Sequence, residues 1–424
     1  VYWSDMILNK KLLYYWKRLG SGFITGASDD DPSGITAYTI AGSRYGNSML
    51  WTLLFTLPFM ITFQEMSARI GALSGCGLTG NIKRHYPLAL LVFVAGIIIV
   101  TNVLNVGANI YGMAGALNLL LPIPVEVLAI GLSAVVLIMS ITLRYEQISR
   151  IFKWLAMSLF AYVFAFFLVQ ADWGDILTHT LIPTFHADRE FLITLFAVVG
   201  TTLSPYLYFW QASEEAEDVR LNRPRLHVCK FRPVGSGEFK RIEWDVKVGM
   251  IFSNIISFFI MALTAATLYR AGAGNIETLR QAAEALQPLA GEYAYLLFTL
   301  GILGVGLLSI PVLAGSVGYV LSELMGWRGS LDKTFRQARE FYLAIILSVI
   351  AGLLIPFLGI TPIQALFYTA VLNGLISPIL ILILLHMSQN PNIVGPHVTR
   401  PSGRWLGHIG LFIMLAGSIM VILS

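Results

Sequence analysis

The stretch Gly22–Tyr38, GFITGASDDDPSGITAY, decides how the rest of the chain is interpreted. It lies near the start of a long apolar segment and holds three consecutive carboxylates, Asp29, Asp30 and Asp31, followed at once by Pro-Ser-Gly. Proline removes a backbone donor and glycine weakens a helix, so the run predicts a helix break. Broken backbone inside a membrane survives only within protein or beside a water-filled cavity, where carboxylates and freed carbonyls suit a hard cation. A plain loop between two helices is the alternative, but the apolar pattern resumes within a few residues.

The composition is that of a membrane protein. Of the 424 residues, 56% are hydrophobic and 12% charged, and this charged share is about half that of a typical soluble domain. Several apolar runs reach the roughly 20 residues that a spanning helix needs. We therefore expect an all-α polytopic protein in a lipid bilayer, with no nucleic-acid partner and no cleavable signal peptide. Two cysteines, Cys76 and Cys229, are too few for a disulfide framework and lack metal-ligand spacing.

Hydrophobic patterning predicts about eleven spans in one transporter domain that covers residues 1–424. They are expected near 22–46, 48–73, 88–118, 124–142, 152–171, 190–213, 247–270, 294–322, 341–359, 361–386 and 405–423. If the spans alternate in direction, all but four of the 28 Lys and Arg residues fall on one side. The positive-inside rule then predicts a cell (inner or plasma) membrane protein with a cytoplasmic N-terminus and an external C-terminus. The four exceptions are Arg44, Arg189, Arg270 and Arg280.

A second break is predicted in span 6, where the small and hydroxylated run Gly200–Pro205, GTTLSP, ends in proline. At the helical rise, Asp31 lies roughly 16 Å from one surface and Pro205 roughly 22 Å from the other, so both breaks fall near mid-membrane. Interrupted helices five spans apart and opposite in direction are typical of an inverted repeat with its binding site at the midplane. Spans 1–5 (about 22–171) and 6–10 (about 190–386) would be the two halves, with span 11 outside them. Two unrelated proline kinks are the alternative.

The longest polar segment, 214–246, is rich in Arg, Pro and Gly. We interpret it as a solvated cytoplasmic loop, and the alternative is binding of lipid headgroups by its basic residues. In span 3, Asn102, Asn105 and Asn109 share one helix face. Such a stripe either joins helices or lines a wet cavity.

Both breaks and several other stretches resemble a known family of transporters. Asp31-Pro32-Ser33-Gly34 stands where the NRAMP divalent-metal transporters have D-P-G-N, and Thr202-Leu203-Ser204-Pro205-Tyr206 stands where they have T-V-M-P-H. The resemblance covers spans 1 to 10 and implies the LeuT-type fold of that family, a 5+5 inverted repeat with helices 1 and 6 broken. The other matching stretches are Tyr45-Gly46 with Leu50-Trp51, Gln64 with Ser67-Ala68-Arg69 and Gly71, Tyr86-Pro87, Ala116-Leu117-Asn118-Leu119-Leu120, and Leu313-Ala314-Gly315.

The departures from the family pattern are similar to its magnesium-transporting prokaryotic branch. Gly34 stands for the motif asparagine, Ser33 for glycine and Ser204 for the motif methionine. A thioether favours softer transition metals, and its loss costs Mg²⁺ nothing. The smaller side chains also leave room for an ion that keeps several waters. The family's titratable residues in spans 3 and 6 are replaced by Val106, Asn109, Tyr206 and Gln211.

The resemblance implies metal contacts from Asp31, from the backbone of Ser28 and Thr201, and from the sites of Gly34 and Ser204. Asp29 and Asp30 would add negative potential, although one of them could instead cap or pair locally. Asn373 could reach the site, but packing is its simpler role. The full set of secondary candidates is Asp29, Asp30, Ser33, Tyr206, Gln211, Asn109 and Asn373.

These features predict a secondary transporter or facilitator that imports a divalent metal by alternating access. The expected cargo is partly hydrated Mg²⁺, and also Mn²⁺, moved without proton coupling because the titratable groups are missing. A proton-coupled Mn²⁺ or Fe²⁺ symporter and a sodium-coupled small-solute transporter are the alternatives. An enzyme or passive channel is disfavoured, since no catalytic or phosphate-binding motif is found. No cofactor is expected apart from the transported ion, and a monomer is plausible.

Overall fold

The computed structural model describes residues 20–142, 147, 151, 154, 157–186, 188–222, 229–272, 274–331 and 333–423. The basic N-terminal segment, the beginning of predicted span 5 and part of the loop after span 6 lie outside the described residues. Within them, all regular secondary structure is helical.

Among the described residues, ten helices precede the loop after span 6. They are α1 (Ser21–Asp29), α2 (Pro32–Tyr45), α3 (Leu50–Ser74), α4 (Leu78–His85), α5 (Leu88–Asn118), α6 (Val125–Thr142), α7 (Phe160–Leu168), α8 (Trp173–Leu181), α9 (Arg189–Thr202) and α10 (Pro205–Asn222). Short 3₁₀ turns occupy Gly46–Met49 and Met157–Leu159.

Eight further helices follow in the described residues after that loop. They are α11 (Ser236–Thr264), α12 (Leu279–Glu284), α13 (Gln287–Ala290), α14 (Ala294–Met325), α15 (Arg339–Gly352), α16 (Pro362–Met387), α17 (Pro391–Val394) and α18 (Pro401–Leu423). A π-helical turn, Ala265–Tyr269, extends α11, and 3₁₀ turns occupy Gly291–Tyr293 and Ile355–Leu358.

The predicted membrane architecture is confirmed. In the described part of the chain, nine helical stretches are long and apolar enough to cross a membrane. One of them, Pro32–Ser74, combines the end of span 1 with span 2, and span 5 is described only from residue 157 onward. Large apolar side chains such as Phe55, Val100 and Phe412 are exposed on the outer faces of the helices, as expected where lipid is the solvent.

The contacts between helices show the symmetry expected of an inverted repeat, in which each span corresponds to the span five positions away. Span 1 packs along span 7, because α1 and α2 both contact α11, and span 6 packs along span 2, because α9 and α10 both contact α3. Exchanging each span with the one five positions away converts the first pair into the second. Spans 3 and 8, α5 and α14, exchange with each other and pack together at the centre.

The contact between α1 and α11 is a backbone contact made possible by glycine. Gly26 lies directly against the backbone of Gly249, which in turn lies against the backbone of Gly22. Small residues allow helices to approach closely in a membrane, where packing replaces the hydrophobic effect as the driving force. The position of α1, and of the carboxylates at its end, is therefore fixed by α11.

The polar segment 214–246 is shorter as a loop than the sequence predicted. Helix α10 continues to Asn222 and α11 begins at Ser236, and Glu214, Glu215 and Glu217 are buried. The predicted loop was too long because the apolar pattern ends where the charged residues begin, whereas both helices continue into the charged segment. The remaining loop is tied to the end of α3 by a single Cys76–Cys229 disulfide.

Basic residues tie several helix ends together on one face of the bundle. Arg232 donates to the carbonyl of Ala72, Lys83 donates to the carbonyl of Leu324, and Arg241 pairs with Glu215. These contacts join the ends of spans 2, 6, 7 and 8, which the predicted alternation places on the same side. On the opposite face, Arg44 pairs with Glu190.

The glycine contact predicts that Gly26→Ala destabilises the protein, because a Cβ there meets the Gly249 backbone, which cannot move aside. Overpacking of this kind costs about 1–3 kcal/mol. Thermal unfolding in detergent should show a lower midpoint. Gly96→Ala in α5 is the matched control, since nothing lies within 4 Å of its Cβ. Equal midpoints for the two variants would contradict the role assigned to this contact.

Candidate metal site between two broken helices

Both predicted helix breaks are present, and they face each other. Helix α1 ends at Asp29 and α2 begins at Pro32, with Asp31 as its extended N-cap residue. Helix α9 ends at Thr202 and α10 begins at Pro205. The space beside Gly34 is bounded by the Thr201 hydroxyl and the Asp29 carbonyl, both 3.2 Å from where a Cβ would stand. The two interruptions are thus parts of one site.

Asp31 is the central carboxylate of this site and is 1% exposed. Its Oδ1 accepts hydrogen bonds from the Ser33 hydroxyl at 2.5 Å and from the Gly34 N–H at 2.9 Å. Its Oδ2 accepts one from the Asn109 amide at 2.9 Å. Neutral donors alone compensate this buried anion, and the helix dipole at the start of α2 adds to the stabilisation.

The carbonyls at the ends of α1 and α9 are held by hydroxyls from the second break. The Tyr206 hydroxyl donates to the Ser28 carbonyl at 3.0 Å, and the Ser204 hydroxyl donates to the Thr201 carbonyl at 2.5 Å. Each carbonyl oxygen has a second lone pair, so these bonds leave acceptor capacity at both positions. Helix C-termini also carry partial negative charge, which favours a cation.

The secondary candidates divide into three groups. Ser33, Asn109 and Tyr206 belong to the site through the bonds just described. Gln211 does not, because it lies lower on α10 and bonds to Ser21, Thr25 and Glu215. Asn373 also does not, since its Oδ1 accepts from Asn105 at 2.9 Å. Asp29 and Asp30 point the other way, toward α11.

The atoms near Asp31 that could bind a metal are oxygens of carboxylate, hydroxyl, carbonyl and amide groups. No group of three or more His, Cys, Asp or Glu side chains converges on a metal-sized space among the described residues. A cation at Asp31 would therefore be held by one carboxylate with hydroxyl, carbonyl and amide oxygens, and by water. Such a set suits Mg²⁺ or Mn²⁺ better than a soft metal.

Below the site, a polar network that the sequence did not predict closes the bundle. Asp245 of α11 accepts from the N–H groups of Gly20 and Gly22 at 2.9 and 2.8 Å, and so caps the start of α1. Glu215 accepts from the Ser21 hydroxyl at 2.8 Å. Glu215 is buried and also pairs with Arg241. In the sequence, the signal that could have identified Asp245 was its position as a carboxylate near the start of span 7.

Above the site, a cavity of about 550 Å³ opens near Arg44 and Glu190. From this cavity inward, α2, α9 and α16 each contribute one residue to each of three successive levels. Ile40, Thr194 and Phe367 line the cavity, and one turn deeper lie Ala37, Ala197 and Ala370, which pack together. Another turn deeper are Gly34, Thr201 and Asn373. Three alanines therefore separate the cavity from the level of the site.

A family model described as natural resistance-associated macrophage protein-like, Nramp, matches residues 22–424. The chain belongs to the Nramp family. A divalent metal cation transporter MntH from Caldanaerobacter subterraneus subsp. tengcongensis is 24% identical over 99% of this chain and 96% of its own length. A protein of the same name from Mycobacterium tuberculosis is 23% identical over 96% and 91%.

Solved structures agree with this assignment at the level of the fold. A manganese transporter from Eremococcus coleocola, in complex with an aromatic bis-isothiourea substituted compound, gives a TM-score of 0.69 at 17% identity, covering 97% of this chain and 87% of that one. A Na⁺-coupled sialic acid symporter gives 0.58 at 14% identity, covering 95% and 89%. The predicted LeuT-type fold is confirmed, and so is the expectation of a membrane transporter family rather than an enzyme.

Asp31 both caps α2 and faces the candidate site, and two substitutions separate these roles. Asp31→Asn keeps a good N-cap but removes the charge, whereas Asp31→Ala loses both and costs about 0.5–2 kcal/mol of stability. We expect both variants to lose at least about ten-fold in divalent-metal uptake, the effect of about 1.4 kcal/mol, and only Asp31→Ala to melt at lower temperature. Liposome uptake and thermal unfolding measure the two effects.

Full transport by a well-folded Asp31→Asn protein would show that the carboxylate serves only as a helix cap.

Proposed function

We propose that this Nramp-family chain imports divalent metal ions by alternating access, with Asp31 as the charged ligand and partly hydrated Mg²⁺ as its main cargo. The observation that carries the proposal is a buried carboxylate held by neutral donors between two broken helices. An ion can replace the Ser33 and Asn109 donors, whereas a neutral solute would gain little there. Two relatives are named divalent metal cation transporters, which supports this class of cargo.

The case for a hydrated ion rests on the space and softness of the site. Gly34 and Ser204 have small side chains, and the described residues at the two breaks include no thioether or imidazole. Mg²⁺ dehydrates reluctantly and usually keeps several waters while bound through one or two carboxylates. Mn²⁺ accepts similar oxygen ligands and should also be carried, whereas larger Ca²⁺ prefers more ligands.

Transport without protons follows from the groups around Asp31. Val106 is buried in the apolar core, Asn109 and Tyr206 are neutral donors at the site, and Gln211 lies in the lower network. None of these titrates in the physiological range. The ion gradient and the membrane potential would then drive import, the latter with about 4.6 kcal/mol per 100 mV for a divalent ion. This direction assumes the predicted cytoplasmic N-terminus.

A proton-coupled manganese symporter is the second candidate. The observation in its favour is that one structural neighbour is described as a manganese transporter and two relatives are named divalent metal cation transporters. Against it stand the neutral residues at the site and the missing thioether.

Restoring the family's ligands should change selectivity. In the double variant Gly34→Asn with Ser204→Met, the asparagine crowds the Thr201 hydroxyl and the Asp29 carbonyl, each 3.2 Å from where its Cβ would stand, and a thioether is added. Mg²⁺ uptake should fall more than Mn²⁺ or Cd²⁺ uptake, as measured by metal competition in proteoliposomes. Each single variant should show a weaker form of the same change, because it removes only part of the space.

Ser204→Ala is the matched control, since it removes a polar atom without filling space. Unchanged Mg²⁺ transport by the double variant, with no gain for Cd²⁺, would exclude pocket size and ligand softness as the cause of selectivity.

Proton movement can be measured directly. Proteoliposomes containing a pH-sensitive dye should show no acidification of the lumen during Mg²⁺ or Mn²⁺ uptake. The reason is that Val106, Asn109, Tyr206 and Gln211 stand where the family has titratable residues. A proton flux that rises with metal concentration, and is absent with Asp31→Asn, would instead support the symporter.

A further inference from the structure

Three consecutive carboxylates at the first break serve two different places. Asp31 turns toward α5 and accepts from Asn109, whereas Asp29 and Asp30 turn toward α11. Asp29 Oδ2 accepts from the Ser253 hydroxyl at 3.0 Å, and Asp30 Oδ1 accepts from the Ser257 hydroxyl at 2.7 Å. Asp29 and Asp30 therefore do not simply extend the Asp31 site.

Each of these two carboxylates keeps one oxygen without a partner. Asp29 is 1% and Asp30 0% exposed, and the buried atoms Asp29 Oδ1 and Asp30 Oδ2 have no hydrogen-bond partner. No described Lys, Arg or His forms an ion pair with either residue. Buried carboxylates are normally paired or bound to a metal, since an uncompensated charge is costly. Two unpartnered oxygens on adjacent acids thus point to a missing cation.

The surrounding groups match a hard cation. Ser253 donates to Asp29, and Ser257, one turn along α11, donates to Asp30. Both serines are buried, with Ser253 0% and Ser257 1% exposed. All these donors are oxygens, and two carboxylates balance the charge of a divalent ion.

We infer that Asp29 and Asp30, together with Ser253 and Ser257 of α11, form a second binding site for a hard divalent cation, separate from Asp31. The site is held in shape by the Gly26–Gly249 backbone contact, which fixes the two serines relative to the end of α1. An ion bound there joins α1 to α11 and neutralises two charges beside the transport site. It does not depend on Asp31 being the transport ligand.

The test counts bound Mn²⁺ per chain by equilibrium dialysis of the purified full-length protein in detergent. Wild type should bind two ions, and both Asp31→Asn and the double variant Asp29→Asn with Asp30→Asn should bind one. If Asp31 is not a ligand, Asp31→Asn keeps two ions while the double variant keeps one, so this failure of the transport proposal leaves the second site standing. Two ions in the double variant, or a single ion in wild type that the double variant retains, would overturn the second site.

The serines provide an independent variant in case the double Asp→Asn protein does not fold. The double variant Ser253→Ala with Ser257→Ala preserves both carboxylate charges. It should weaken binding of the second Mn²⁺ at least ten-fold and leave the affinity for the first Mn²⁺ unchanged. Ser348→Ala in α15 is the matched control, because that buried serine bonds only to its own helix. Equal second-site affinity for the serine pair and the control would count against the site.

Discussion

Backbone groups that lose their helical partners inside a membrane must find others, because the surrounding lipid offers none. The two helix breaks create this problem at the same depth, and they meet it with hydrogen bonds both within each break and between the two. Tyr206 from one break bonds the Ser28 carbonyl of the other, Ser204 bonds Thr201, and Asp31 takes up the N–H of Gly34. The polar site is thus a consequence of interrupting two helices, and it exists only where both interruptions meet.

The cost of interruption explains why the surrounding packing is so close. Gly22 and Gly26 bring α1 against the backbone of α11, and Asp245 caps the first N–H groups of α1. A short helix of nine residues has too few internal hydrogen bonds to hold its position alone. Its position relative to Asp31 is therefore set by the neighbouring span, so that any opening beneath the site must move α1 with α11 or break these contacts.

Much of this arrangement could be predicted from sequence, because proline and glycine mark helix breaks wherever they fall. Pro32 and Pro205 located both interruptions, and the membrane fold followed from the apolar runs. The directions of the side chains could not be predicted. Asp29, Asp30 and Asp31 are adjacent in sequence, but the first helix ends at Asp29, and the two non-helical residues that follow turn Asp31 away from the side that Asp29 and Asp30 face. Gln211 was similarly misplaced, because a helical position two turns from the break bonds to whichever neighbour is buried beside it.

The burial of acids near the predicted cytoplasmic end was also beyond a pattern-based argument. Glu215 follows an apolar run and precedes a charged one, which is typical of a solvated helix end. Its burial depends on Ser21 and Arg241, residues remote in sequence that only the fold brings near. Charge alone does not decide exposure, because a buried carboxylate with donors on several helices is stable where an isolated one is not.

The division of the three carboxylates has a physical consequence for ion movement. If Asp29 and Asp30 were charged and uncompensated, they would deepen the attraction at Asp31 and slow release of the ion. A cation held between them and α11 cancels that field, so that Asp31 alone sets the affinity for the moving ion. Conduction requires binding strong enough to admit an ion and weak enough to release it. The structure separates these demands spatially, because hydroxyls of α11 bond to Asp29 and Asp30, whereas the Ser33 hydroxyl and the Asn109 amide, which an incoming ion can displace, bond to Asp31.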